Sequence, residues 1–238
     1  MLRRLDLAIG GLLLLVASLL LLAAACGGGG GEETPSPVTP TGSPLPPEVQ
    51  DQLKRMVLQP DDVLTGFNLV DEPFSTNEES ASSADDPQSR LADLQRWGRI
   101  LGYEVYYESS EPPTVGQTIF FSLQSTASMY ESSEGASASF ADAVEVARTT
   151  DWPVVFVGPE NVEWEEVPIS DLADEAIWLR VGEKGEPGEQ VSSFDIIMLR
   201  QGAGRGSLQI GSFGTEESKE IVEQLARAQA DRMRSALE

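Results

Sequence analysis

The sequence predicts an α+β domain in which helices pack on an antiparallel sheet. Two observations support this class. Apolar residues recur at every second position in several short segments, which is the period of a strand with one buried face. Segments with helical spacing of apolar residues follow two groups of such strands. The order of elements also suggests a duplicated strand-strand-helix plan.

Residues 1–25 have the pattern of a secretory signal peptide. Arg3 and Arg4 give a positive start, residues 7–25 are almost wholly apolar, and three alanines precede Cys26. The pattern resembles a bacterial lipoprotein signal with its lipobox. That resemblance implies cleavage before Cys26 and a diacylglyceryl thioether on its sulfur. The domain would then be lipid-anchored at the extracytoplasmic face of a cell membrane.

An uncleaved signal anchor is the alternative for the same segment. Residues 7–25, at about 1.5 Å per residue, nearly span a hydrocarbon core of about 30 Å. Both interpretations place the rest of the chain outside the cytoplasm. The position of Cys26 directly before five glycines favours the lipoprotein.

Residues 26–47 are predicted to be a lipidated cysteine followed by a flexible linker. Gly27–Gly31 is a glycine run, and residues 34–47 contain six prolines among threonines and serines. Glycine-rich chain is flexible and proline-rich chain is extended, so the segment fits a spacer between membrane and domain. The folded domain is expected over residues 48–238.

The first half of this domain is expected to contain three helices and two strands. A short helix covers residues 47–58, with Pro47 at its start. Residues 75–89 are polar and acidic and are predicted to be a mobile loop. A second helix covers residues 90–102 and ends at Gly102. Alternation over 103–108 and 119–124 predicts strands, and a third helix follows over 131–148.

The second half is expected to repeat this plan. Residues 153–157 form a short apolar strand candidate, and three more strands are predicted over 175–181, 193–200 and 207–213. A final helix covers residues 216–237, with Thr215 as its N-cap. Its predicted buried side is Val222, Leu225, Ala226, Gln229 and Met233.

Residues 171–237 carry a further resemblance. The segment LADEAIWLRVGE, then FDIIMLRQGAGRGSLQIGSF and a closing helix, resembles extracytoplasmic domains of actinobacterial lipoproteins and of some mycobacterial kinase sensors. That resemblance implies a ligand- or partner-binding domain rather than an enzyme. Several such domains carry paired cysteines, and this chain does not.

Composition narrows the function further. The formal net charge is −23, and removal of residues 1–25, which hold Arg3, Arg4 and Asp6, leaves −24. So acidic a domain repels phosphate backbones, which argues against nucleic acid as a partner. The chain has no histidine and a single cysteine, so a serine triad, a cysteine-based zinc site and a redox pair are excluded. We expect no catalytic residues, no cofactor and no metal ligands.

One glycine-rich motif and three acidic clusters are candidates for a chemical function. GAGRGS at residues 202–207 lies between strand patterns, so it predicts a hairpin turn rather than a phosphate loop. The acidic clusters Asp61–Asp62, Asp85–Asp86 and Glu163, Glu165 and Glu166 are interpreted as solvated loops or strand edges. Calcium binding and a carboxylate pair for glycan hydrolysis are the alternatives for these clusters.

The aromatic residues are interpreted mainly as core. The set is Trp97, Tyr103, Tyr106, Tyr107, Phe120 and Phe121 in the first half, and Trp152, Trp164 and Trp178 in the second. Tyr106 and Phe120 are expected opposite the buried faces of their strands. A binding groove on that opposite face of the sheet is the alternative.

The sequence therefore predicts a membrane-tethered extracytoplasmic domain that binds an unknown small molecule, lipid, envelope component or protein. A structural or protein-interaction module without a pocket is the first alternative, and a carboxylate-based hydrolase of envelope glycans is the second. A concave apolar pocket with few convergent polar groups would favour binding, and a flat exposed apolar patch would favour a scaffold. Two carboxylates about 5–10 Å apart in a cleft would favour the hydrolase.

Overall fold

The computed structural model describes residues 46–110, 119–152, 162–183, 191–214 and 218–238. The predicted signal peptide, Cys26 and nearly all of the linker lie outside these ranges. So do the predicted strand at residues 153–157 and the predicted N-cap Thr215. Within the described ranges, no helix is long and apolar enough to cross a membrane.

An antiparallel sheet of eight strands forms the centre of the fold, which confirms the α+β prediction. The strands are β1 (Phe67–Asp71), β2 (Phe74–Ser75), β3 (Arg99–Ser109), β4 (Ile119–Tyr130), β5 (Val162–Glu166), β6 (Glu175–Glu183), β7 (Val191–Gln201) and β8 (Gly204–Gly214). Their order is β1-β3-β4-β8-β7-β6-β5, and β2 also pairs with β3. The pairing of β4 with β8 therefore joins the two halves of the domain.

Helices pack on both faces of this sheet. They are α1 (Pro47–Met56), α2 (Asn77–Ser82), α3 (Pro87–Arg96), α4 (Ser133–Thr149) and α5 (Ser218–Leu237). Met233 of α5 shares a hydrophobic cluster with Ile197 and Leu199 of β7, whereas Phe140 of α4 shares one with Met198. Alternate residues of a strand point to opposite faces. We call the side of α1 and α5 the first face and the side of α4 the second face.

The order of elements agrees with the duplicated plan only in part. β4 and β8 are each followed by a long helix, and Gln124 of one Ser-Leu-Gln segment lies opposite Gln209 of the other. A two-fold axis that relates neighbouring antiparallel strands is normal to the sheet, so it would leave both helices on one face. Here α4 and α5 lie on opposite faces. The two halves therefore share an order of elements without an equivalent packing.

The predicted mobile loop at residues 75–89 is wrong, because this segment contains α2 and the start of α3. Thr76 caps α2 with a reciprocal pair of bonds: its hydroxyl accepts from the backbone N–H of Glu79, and the Glu79 carboxylate accepts from that of Thr76. Asp86 caps α3 by accepting from the N–H of Ser89, and Pro87 starts the helix. Capping signals define these helices where large apolar residues are scarce.

The next helix ends earlier than predicted. Gly98 has φ of +67°, a conformation that glycine adopts without the steric cost of a side chain, and it reverses the chain after α3. β3 then begins at Arg99 instead of after Gly102. Leu101, predicted to be on the helix, is fully buried within the strand.

A register shift in β4 exchanges the two phenylalanines of the predicted strand. The pairing with β8 is irregular between Phe120 and Ser122, so the alternation of faces changes at that point. Phe120 is buried in the cluster of the first face, and Phe121 is half-buried. The Phe121 ring lies where a Cβ on Gly211 would stand, 2.3 Å from its Cε2 atom. The predicted position of Phe120 on the second face is therefore wrong.

Candidate functional site

A polar cavity lies on the second face, over the adjoining ends of β3, β4 and β8. Its volume is about 170 Å³, roughly ten times the ~15 Å³ that one water molecule needs. Helices α2 and α3 contribute one wall. Three of its lining side chains are arginines, Arg90 of α3, Arg99 of β3 and Arg205 of β8. We call this cavity the arginine pocket.

Arg99 is held rigidly at the base of the arginine pocket. Its side chain donates from Nε to Ser128 Oγ at 3.2 Å, from Nη2 to Ser75 Oγ at 2.9 Å, and from Nη1 to the Thr76 carbonyl oxygen at 3.3 Å. The residue is only 8% exposed. A Cβ on Gly102 would come within 2.0 Å of Nη2, so glycine at that position makes room for the guanidinium.

The other two arginines are less completely paired. Among the described residues, Arg205 donates only through Nη1, to the carbonyl oxygen of Ser139 at 3.3 Å and to its hydroxyl at 2.8 Å. Arg90 donates to one oxygen of Asp142 at 3.1 Å, and its guanidinium carbon lies 5.2 Å from the centre of the Trp97 ring. The Nε and Nη2 groups of Arg205 are therefore available to a ligand.

The arginine pocket has an excess of positive charge. In the described part of the chain, Asp142 is the only carboxylate that forms an ion pair with any of the three arginines. Burial lowers the pKa of the Arg99 guanidinium, Tyr130 opposes this effect, and the charges of Arg205 and Arg90 lower the pKa further. An anion in the pocket would relieve their mutual repulsion.

Polar side chains continue from the arginine pocket along the second face. They form cross-strand rows, which from the pocket outward are Gly102–Ser128–Arg205, Glu104–Thr126–Ser207 and Tyr106–Gln124–Gln209. We call the six residues of the last two rows the polar floor. Neighbours within a row are about 4.8 Å apart and successive rows about 7 Å apart, so the floor extends about 14 Å from the pocket. All six side chains are half-buried.

The polar floor is already partly paired within itself. The Thr126 and Ser207 hydroxyl oxygens are 2.9 Å apart, and Gln124 Nε2 donates to Glu104 Oε2 at 3.0 Å. Burial raises the pKa of the Glu104 carboxyl, an effect that the bond from Gln124 opposes. Burial also raises the pKa of Tyr106 to about 12, with the Glu108 charge as a second cause. At neutral pH this surface offers both donors and acceptors.

Most of the aromatic residues singled out in the sequence belong to the core, as predicted. Six of the nine are buried in hydrophobic clusters, namely Trp97, Tyr103, Tyr107, Phe120, Trp152 and Trp178. Tyr106 is in the polar floor, Phe121 is half-buried, and Trp164 on β5 is 40% exposed. The concave feature of the second face is therefore polar and cationic, unlike the apolar pocket expected of a binding domain.

Most members of the acidic clusters have structural partners. Asp62 pairs with Arg232, Asp86 caps α3, Glu165 pairs with Lys219 at 2.8 Å, and Glu166 with Arg148 at 2.6 Å. Throughout the described ranges, no group of three acidic, histidine or cysteine side chains is arranged to hold a metal ion. The partnered carboxylates therefore form ion pairs or cap a helix at the surface of the fold.

The GAGRGS segment forms a hairpin turn, as predicted. β7 ends at Gln201 and β8 begins at Gly204, with Gly202 at φ +52° between them. Its arginine, Arg205, is the residue that enters the pocket. The motif therefore contributes to the site through the side chain of Arg205 and not as a glycine-rich phosphate loop.

The sequence analysis missed all three pocket arginines. Only Arg99 and Arg205 carried a local signal, since each directly follows a glycine and borders a predicted strand in a chain where Asp and Glu outnumber Lys and Arg by 39 to 16. A cation that interrupts the face of a strand in so acidic a chain is a candidate for a buried role. Their convergence with Arg90 depends on tertiary structure.

Comparison with solved structures shows a weak structural similarity. The chain is similar to the extracellular domain of PknH from Mycobacterium tuberculosis, with a TM-score of 0.49 and 9% sequence identity, over 79% of this chain and 95% of that one. No protein-family model matches the sequence, and no curated protein matches it. The similarity is too weak to bear on function, so function is inferred from the arginine pocket.

Proposed function

We propose that this protein is a membrane-tethered extracytoplasmic binding protein whose arginine pocket takes a small anionic ligand. One observation carries the proposal: Arg90, Arg99 and Arg205 converge in one cavity with a single carboxylate partner among the described residues. Guanidinium groups match the planar oxygens of carboxylates and phosphates through paired hydrogen bonds. The Nε and Nη2 of Arg205, which bond to none of the described residues, are suited to this contact.

The net charge of −23 does not prevent this function. Screening limits exposed charges to a range of about 8 Å at physiological ionic strength. Inside the cavity the nearest charges dominate, and the three arginines with Asp142 sum to +2. The acidic surface would instead slow the approach of anions and make binding dependent on salt.

A scaffold function has less support. Four large apolar side chains are exposed among the described residues, Leu69 and Val70 on β1, Val146 on α4 and Trp164 on β5. β1 and β5 are the opposite edges of the sheet. A flat apolar docking patch would require such residues to lie together.

Titration of the full-length chain with inorganic phosphate tests the anion site. Arg205→Gln is expected to weaken phosphate binding at least tenfold, because it removes a charge-assisted contact of about 1.5–3 kcal/mol. Arg205 is preferred to Arg99 as a target, since Arg99 bonds to the backbone of residues 75 and 76, whereas among the described residues Arg205 bonds to Ser139 alone. Calorimetry gives the dissociation constant directly.

Arg227→Gln is the matched control for this titration. Arg227 is an exposed arginine of α5 that pairs with Glu223 four residues earlier, so its loss leaves the pocket intact. Equal phosphate affinity in wild type and Arg205→Gln would contradict the proposal. So would the absence of phosphate binding to the wild type at millimolar concentrations.

The tether is tested by Cys26→Ser in the full chain. Without the sulfur no thioether forms, so we expect the protein to leave the membrane fraction or to accumulate as an unprocessed precursor. One lipid chain binds a membrane only weakly, whereas two anchor it stably. Membrane fractionation with mass analysis of the N-terminus measures this. A normally processed, membrane-bound variant would rule out lipid anchoring at Cys26.

A further inference from the structure

The polar floor beside the arginine pocket identifies what else the ligand carries. The floor is a strip of hydroxyl, amide and carboxylate groups with one aromatic ring, and it adjoins the pocket on the same sheet face. A ligand anchored by its anionic group at Arg205 would lie over Thr126 and Ser207 next, and over Gln124 and Gln209 beyond them. The chemistry of the floor therefore selects the neutral part of the ligand.

We propose that the ligand is an anionic sugar: a polyhydroxylated ring with a phosphate or carboxylate group. This inference rests on the proposed function. The half-buried floor residues Thr126, Ser207, Gln124 and Gln209 can each donate and accept hydrogen bonds, as sugar hydroxyls do. A hydrocarbon chain on this strip would take these groups from water without replacing their bonds, at a cost of free energy.

Glu104 fixes the direction in which such a ligand lies. Its carboxylate is half-buried in the first row of the floor, about 7 Å along the strands from the row of Arg205. A second anionic group there would meet like charge, whereas a sugar hydroxyl would donate to it. The anionic group therefore binds at the arginine end, and the neutral hydroxyls face Glu104.

The size of the floor sets the length of the ligand. The outer row of the floor lies about 14 Å from the row of Arg205, which is enough for one or two sugar rings beyond the anion. Tyr106 lies in the outer row, where its ring offers a flat apolar surface for the C–H face of a sugar. The ligand class is therefore a sugar phosphate or uronate of one or two rings.

Matched pairs of small molecules test this inference on the full-length chain. Glucose 6-phosphate is compared with cyclohexylmethyl phosphate, and glucuronate with cyclohexanecarboxylate, so that each pair shares its charge and approximate shape and differs in the hydroxyls. We expect at least one sugar to bind tenfold or more tightly than its hydrocarbon partner. Hydrocarbon partners that bind as tightly as both sugars would overturn the inference.

A double variant, Thr126→Val with Ser207→Ala, connects the effect to the floor. It removes both hydroxyls of a bonded pair, so neither is left unpaired. The ratio of hydrocarbon to sugar dissociation constants, measured within each variant, is expected to fall at least fivefold toward one. Thr149→Val, which removes an exposed hydroxyl of α4, is the control and should keep the wild-type ratio. An unchanged ratio in the double variant would overturn the assignment.

Inorganic phosphate separates the two possible failures. If phosphate binds and Arg205→Gln weakens it, but the sugars gain nothing over their partners, the anion site stands and the sugar inference falls. If phosphate, sugars and hydrocarbon anions all fail to bind, the anion site falls and the sugar inference with it.

Discussion

Asp195→Ala is expected to lower the free energy of unfolding by about 3–5 kcal/mol. Asp195 is fully buried on β7 and accepts three hydrogen bonds, from Trp178 Nε1 at 2.7 Å and from Arg180 Nε and Nη2 at 2.8 and 2.9 Å. The Arg180 side chain is only 11% exposed. Alanine would leave the Arg180 charge and the Trp178 indole N–H inside the fold without their hydrogen-bond acceptor.

The size of this effect comes from what remains after the substitution. A buried ion pair adds little relative to well-packed apolar residues, but removal of one partner leaves an uncompensated charge. Arg180 also donates to Ser218 at the start of α5, so its displacement would disturb the contact between this helix and the sheet. Asp195 therefore matters to the packing of the first face.

Chemical unfolding of wild type and variant measures the difference. Glu166→Ala is the matched control, because Glu166 forms a bidentate pair with Arg148 on the surface, where both side chains are 41–50% exposed. Exposed pairs contribute much less than buried ones, because water and salt screen their charges. Similar losses for the two variants would mean that the Asp195–Arg180 pair is not buried as described.

Gly135→Ala is expected to destabilise the protein by about 1–3 kcal/mol, the usual effect of overpacking. Gly135 lies in the first turn of α4, where alanine would by helix propensity alone be better by up to about 1 kcal/mol. Here an added Cβ would stand 2.0 Å from the backbone oxygen of Trp97. Backbone cannot rotate aside as a flexible side chain can, so α3 and α4 would have to separate.

Val146→Ala is the control for this prediction. Val146 is an exposed residue of the same helix, and its replacement should be neutral or slightly stabilising because alanine favours the helix more than a β-branched residue does. Thermal unfolding of both variants shows directly whether each substitution lowers or raises the stability of the protein. A Gly135→Ala variant as stable as Val146→Ala would contradict the close contact of α4 with the end of α3.

Since Trp97 stacks on Arg90, phosphate affinity should fall in Gly135→Ala as well.

Local patterns predicted most of the elements correctly. The period-two segments became β3, β4, β6, β7 and β8, and the stripe of α5 is buried at all five predicted positions. These signals are local, since a strand or helix places its apolar residues at a fixed spacing whatever its neighbours. The errors at residues 75–89 came from judging helices by apolar residues alone, where capping residues carried the signal.

The bulge in β4 and the arginine pocket required the tertiary structure. One extra residue between Phe120 and Ser122 reverses which side chains are buried, and no local period announces it. Arg90, Arg99 and Arg205 meet because β8 pairs with β4, so Arg205 lies beside Ser128, 77 positions earlier in the chain. Such pairings depend on competition among all strands for partners.

By itself, the sequence determined the α+β class, the helix and strand periods, and the exclusion of a serine triad, a cysteine-based zinc site and a redox pair. It also produced the prediction of a lipid anchor at Cys26, because such signals are linear and read along the chain. The tertiary structure alone decided the strand order, the faces on which α4 and α5 pack, and the convergence of three arginines above a polar floor. The physical reason is that a binding site is a property of distance in space, and strand pairing joins residues that the sequence separates.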